Sequence, residues 1–265
     1  MTTSPLTPTE IERTFGDLET VPPPATLLDE WSRFGGFLKR PHLPDARGHE
    51  PGKARAVARL LALDMIVMVV LLTLIGVVSA FGFELPDNVN NELGLSVGAI
   101  VLVVVVAPVL EELIFRSWLT GRPAVMAAVA VSVIGFGAVP YGVSQMDPEQ
   151  SMPLLLAIGP LVAMVAAPLA AYALLRRLVP RWFIAGFPVF FWLSTLGFAL
   201  VHLANYTEGS LVFRLPLVLP QFALGTMLGY LRVHYGLAPA IALHASHNAL
   251  LFGLAILGKS LEGAG

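Results

Sequence analysis

The chain has no cysteine. Disulfide staples, thiolate zinc sites and a cysteine nucleophile are therefore excluded. Charge is also scarce: Asp, Glu, Lys and Arg make up 13% of the 265 residues, about half the usual ~25% share of a soluble domain. So few charges cannot cover a soluble fold of this length, and hydrophobic residues reach 56%. The formal net charge of −2 offers no basic face for nucleic acid, which is not an expected partner. Met1–Glu50 is polar and proline-rich, so no cleavable signal peptide is expected there.

What the chain has instead is long apolar runs. Seven follow Arg59: Leu60–Phe83, Leu95–Leu119, Ala124–Val143, Met152–Leu175, Trp182–Leu203, Leu215–Leu231 and Leu237–Leu257. Each is long enough, or nearly so, to cross about 30 Å of hydrocarbon at ~1.5 Å per residue. Backbone groups in lipid must be satisfied within the segment, and the runs lack the alternation of barrel strands, so they are helices. The expected fold class is an all-α polytopic membrane protein with about seven transmembrane helices, and the lipid bilayer is its first partner.

The ends differ from this core. Residues 1–56 read as a cytoplasmic, mostly disordered, Pro-rich tail, with Pro22-Pro23-Pro24 and few apolar residues. Within it, a short helix around Ala25–Leu38 is expected on the membrane surface. Residues 57–258 form the membrane domain, and 259–265 a short external tail. Loop charge sets the orientation. Lys53, Arg55 and Arg59, then Arg122, then Arg176, Arg177 and Arg181, then Arg232 mark one side. Glu84, Asp87, Glu92, Asp147, Glu149 and Glu208 mark the other, where Arg214 and Lys259 are the bases. The expected placement is the plasma (inner) membrane with a cytoplasmic N-terminus and an external C-terminus. No internal repeat of the inverted-transporter kind is visible.

An ionisable residue at membrane depth costs roughly 2.5–3.5 kcal/mol on insertion scales, so each calls for a reason. In the second run, Glu112 and Arg116 are four apart and stack on one helix face in the favourable order. Glu111 is rotated about 100° away and is left to face a cavity. His202 ends the fifth run, while His244, His247 and Asn248 lie together in the seventh. Asp64, early in the first run, is expected to pair with Arg59 or to face the cytoplasmic rim. With no second membrane aspartate there is no aspartyl-protease dyad.

A carboxylate in an apolar pocket moves toward the basicity a general base needs, and neutral histidines orient water, stabilise an oxyanion or bind a divalent metal. Asparagine can donate to an oxyanion. This inventory suits peptide hydrolysis without a covalent intermediate. It equally suits a cation or proton carrier.

Glu111-Glu112-x-x-x-Arg116, Phe198-x-x-x-His202 and His244-x-x-x-Asn248, in that order on three apolar runs, resemble the three signature motifs of the CPBP family. These are the intramembrane CAAX-prenyl proteases and bacteriocin-processing or immunity proteins, also called the Abi family. The resemblance extends from Leu95 to Leu257. It implies an intramembrane endopeptidase acting on a peptide or protein substrate. Glu111 would activate the water, Glu112 and Arg116 would brace the helix, and His202, His244 and Asn248 would complete the site, with His247 in support. If a divalent metal such as zinc takes part, Glu111, His202 and His244 would hold it; the chain has no His-Glu-x-x-His pattern. A non-catalytic immunity or regulatory protein on the same scaffold is the alternative. Counted from the cytoplasmic end, His244 is about seven residues into its run and His202 about twenty, or roughly 30 Å. Their meeting requires the fifth helix to tilt, to start later or to continue past the membrane face.

Overall fold

The computed structural model describes residues 24–44, 51–82, 85–88, 96–138, 153–206 and 208–262. Among them there is no strand, only an isolated bridge between Asn88 and Tyr206. Helix α1 spans Leu27–Lys39 and α2 Lys53–Ala80. Helix α3 runs over Val97–Phe115, α4 over Pro123–Gly137 and α5 over Pro153–Leu174. Helix α6 covers Phe187–Val201, α7 Leu219–His234 and α8 Leu237–Glu262.

Among the described residues, six helical stretches are long and apolar enough to cross a membrane, and Pro123–Gly137 is a shorter apolar helix. The chain is thus a multi-pass helical membrane protein. The seven expected runs correspond to these six and the shorter one. The expected boundaries Phe83, Leu95, Val143 and Met152 lie outside the described residues.

Local chemistry sets the boundaries. Gly52, at φ +82°, turns the chain into α2, and Lys53, Arg55 and Arg59 extend that helix seven residues before its apolar run. The Ser96 hydroxyl accepts from the Ala99 amide at 3.2 Å and starts α3. Proline occupies one of the first two positions of α4 and of α6, where its missing N–H costs nothing. Helices α4 and α5 pack closely because Gly135 has no side chain: a Cβ there would lie 2.7 Å from the Gly159 carbonyl oxygen.

Packing alters two expectations. Helix α1 forms where expected, but one face of it is buried against the other helices. Phe34 and Phe37, three apart on one face, enter the core, with ring centroids 5.5 Å from Tyr230 and 5.1 Å from Phe191 respectively. Glu30 is buried with them and accepts from the Tyr230 and Tyr235 hydroxyls at 2.8 and 2.9 Å. Arg59 Nη1 lies 3.6 Å from Glu30 and donates to the Pro24 carbonyl at 2.8 Å, while the Trp31 indole donates to the Arg59 carbonyl. Average composition hides such a helix, because two aromatics and one carboxylate do the packing. The second change concerns Arg232. It is not a loop residue but a buried member of the last turn of α7.

Candidate active site

Glu111 and Glu112 sit near the end of α3, where Glu112 is fully buried. Arg116 Nη1 donates to Glu112 Oε1 at 3.0 Å, with neither side chain exposed. The guanidinium also lies over the Phe198 ring, 3.8 Å from its centroid, a cation–π contact that offsets its desolvation. Gly225 of α7 makes room for it: a Cβ there would stand 3.2 Å from both Arg116 Nη2 and Phe198 Cδ1.

Helix α3 ends at Phe115 and passes into a 3-10 turn over Ser117–Thr120, where the regular α-helical carbonyl partners are lost. The Arg116 carbonyl keeps the Leu119 amide as a donor at 3.1 Å, and side chains from two other helices add to the turn. Ser194 of α6 donates to the Phe115 carbonyl. Arg232 of α7 donates to the Arg116 and Ser117 carbonyls at 2.9 and 3.0 Å. The end of α3 is thereby fixed to α6 and α7. Sequence reading passed over Ser194, although a serine inside an apolar run was a usable signal, and it counted Arg232 only as a loop charge.

His202 reaches this point because α6 begins at Phe187, after a break at Gly186. That is five residues later than its apolar run, so the requirement that the helix start later is met. His202 Nδ1 faces the Phe198 carbonyl oxygen at 2.7 Å, which can only accept, so Nδ1 carries the proton. His244 Nδ1 lies 3.1 Å from Glu112 Oε1, an atom that already accepts from Arg116. It too is the donating nitrogen. In the neutral rings both Nε2 atoms are left as acceptors.

Those two nitrogens flank Glu111. Its Oε2 is 3.8 Å from His202 Nε2 and 3.7 Å from His244 Nε2, and it is buried without a hydrogen bond. At such separations a single water can bridge the carboxylate and an imidazole. Glu111 and His202 keep 27% and 17% side-chain exposure and His244 only 3%, so the cluster is open on one side. Phe198 is the common floor, with centroids 4.8 Å from His202 and 5.4 Å from His244.

The remaining expected residues lie beside this group. His247 Nδ1 binds Asp64 Oδ2 of α2 at 2.7 Å. Asp64 is fully buried and neither pairs with Arg59 nor faces the rim. The reason is helical: residues five apart are about 140° apart around the axis, and Arg59 has turned to α1. Asn248 donates to the Val103 carbonyl of α3 at 2.8 Å. As for a metal, the donor types suit zinc. Among the described residues, however, no three His, Asp or Glu side chains are gathered so as to hold an ion.

The fold and this cluster define a class: a polytopic helical membrane protein that holds a partly exposed glutamate between two histidines. The family model "Type II CAAX prenyl endopeptidase Rce1-like" matches residues 93–250. The chain belongs to that Rce1-like family, and its scaffold is that of the CAAX-type intramembrane proteases. No curated protein and no solved structure matches it.

Proposed function

We propose that the protein is an intramembrane endopeptidase whose water is activated by Glu111. One observation carries the reading: Glu111 Oε2 is buried, has no hydrogen bond, and stands between two imidazole Nε2 atoms. A water there donates one hydrogen bond to Glu111 and the other to His244 Nε2, which leaves an oxygen lone pair for attack. As the water oxygen bonds to the scissile carbonyl carbon, its proton passes to Glu111 and the carbonyl electrons move to oxygen. Donation from His202 Nε2 to that oxyanion requires the ring to take up a second proton from solvent, because the neutral ring presents Nε2 as an acceptor. Collapse breaks the C–N bond, and the Glu111 carboxyl returns its proton to the leaving amine. Glu112 and Arg116 touch no reacting atom; they keep His244 in one tautomer and one orientation.

The substrate is a peptide, and the prenylated C-terminal segment that the family's description implies is the first probe to use. The ends of the helices carrying Lys53, Arg122, Arg176 and Arg177 face the cytoplasm, and the membrane is the plasma (inner) membrane. The test is turnover of internally quenched peptides, with and without a prenyl group, by purified protein in proteoliposomes. Glu111→Gln is expected to lose about 10²–10⁴-fold in rate while its melting temperature stays unchanged. Undiminished turnover refutes the role of Glu111. A parent protein that cleaves none of these peptides favours a regulatory role on the same scaffold.

A further inference from the structure

Helix α3 contains one π turn, Leu102–Val106, directly before Pro108. In that turn the Ala107 amide reaches back five residues to the Leu102 carbonyl. The Val103 carbonyl therefore loses its donor four residues on. The residue five on is Pro108, which has no N–H. The Val103 oxygen is thus orphaned by sequence, at a depth where a bare carbonyl is costly. The group that fills it is the Asn248 side-chain amide of α8, at 2.8 Å. Proline in a membrane helix is tolerated where a neighbouring helix satisfies the freed carbonyl in this way.

We propose that Asn248 is a positioning residue: its amide replaces the backbone donor that Pro108 removes, and this holds α8 in register against α3. The bond lies one turn along α8 from His244, whose Nδ1 meets Glu112 on the same helix α3. Two contacts one turn apart on α8, both to α3, fix the height at which the His244 ring meets Glu111 and Glu112. One N–H of the Asn248 amide is thereby committed to the scaffold, which leaves the second for other partners. Only the kinetic consequence rests on the proposed peptidase reading.

Because Pro108 is the cause, it is also the control. Pro108→Ala supplies an N–H five residues after Val103 and makes the Asn248 donor redundant. The experiment is a four-variant cycle of parent, Asn248→Ala, Pro108→Ala and the double variant, each purified in detergent. Thermal unfolding is read first. Asn248→Ala is expected to lower the melting temperature by about 2–4 °C, and most of that drop should vanish in the Pro108→Ala background. Equal drops in both backgrounds, or none in the parent, overturn the proposal. Asn248→Ser serves in its place if Asn248→Ala does not accumulate.

Peptide turnover is read second. Asn248→Ala is expected to reduce kcat with little change in KM, and Pro108→Ala is expected to restore at least part of it. An oxyanion donor would lose the same factor in both backgrounds, which refutes the bracing role. A parent with no turnover on any peptide tells against the peptidase reading alone, since the unfolding cycle still decides the bracing role.

Discussion

Glu112 is the residue at which fold and chemistry are most tightly joined. Its carboxylate receives Arg116 at 3.0 Å and faces His244 Nδ1 at 3.1 Å, with no exposure. Glu112→Gln keeps the shape and removes the charge. Arg116 is fully buried, and its Nε and Nη2 carry no hydrogen bond even in the parent. The substitution therefore leaves an uncompensated guanidinium, at about 3–5 kcal/mol for breaking a buried pair. Stacking on Phe198 at 3.8 Å returns roughly 2 kcal/mol at most, and that contact is already present in the parent, so it does not offset the difference. For a chain of this size the loss corresponds to a fall in melting temperature of roughly 6–20 °C.

Replacing both partners separates stability from catalysis. Glu112→Leu with Arg116→Met fills the space without a charge, and apolar replacement of a buried pair ranges from neutral to about 1–4 kcal/mol stabilising. The double variant is expected to melt near the parent temperature. Its His244 nevertheless has no acceptor at Nδ1, so the proton is free to sit on Nε2 and the ring can turn. Turnover is expected to fall about 10²-fold, the order of loss for a misplacement of ~1 Å in a reacting group. The assays are thermal unfolding in detergent and peptide turnover in proteoliposomes. A double variant that is both stable and fully active would refute the orienting role of Glu112. A Glu112→Gln protein that melts with the parent would refute the energetic argument.

The second buried pair behaves similarly without touching the reaction. Asp64→Ala leaves His247 unpaired and His247→Ala leaves a buried carboxylate, so each is expected to destabilise by about 3–5 kcal/mol. The two together cost less than the sum, and denaturant unfolding of the four species measures this coupling. At the surface, hydrogen bonds from the Thr26 side chain and then its backbone lower the Asp29 pKa below its ordinary 3.8. A depressed folded value means that the cap of α1 contributes above the unfolded pKa and is lost as pH falls through the folded one. Fluorescence of a variant retaining only Trp31 should report loosening of α1 below about pH 4, and Asp29→Asn should abolish that dependence.

Much of the fold was legible because the bilayer leaves so few solutions. Apolar runs that must satisfy their own backbone become helices, and hydropathy finds their middles. It does not find their ends. Lys53 to Arg59 intersperse three bases among small helix-forming residues, too charged to read as part of a span, so α2 begins before its apolar run. Gly186 and Pro188 delay α6 within an unbroken apolar run. The site was legible wherever partners lie a turn apart on one helix, as with Glu112 and Arg116. It was not legible where partners lie far apart in sequence: Asp64 with His247 is separated by 183 residues and the Arg232 side chain from the Arg116 carbonyl by 116. Choosing the nearest base, Arg59, was a local rule applied to a contact that only packing decides.

Adjacent residues make the same point in the opposite direction. Glu111 and Glu112 are chemically identical and differ only by about 100° of helical rotation. That rotation turns Glu112 inward, where a guanidinium neutralises it and where it can serve only to hold His244. It turns Glu111 to the open side, at 27% exposure, with an oxygen that the protein leaves without a hydrogen bond. Glu112 is sealed within the protein and its Oε1 already accepts from Arg116 and meets His244, so it has no open side on which to meet a water. Glu111 has that open side, with both imidazole Nε2 atoms beside its Oε2. The division of roles between the two glutamates therefore follows from the helix period and the position of Arg116, and moving the pair by one residue along α3 would leave one of the two positions without a carboxylate.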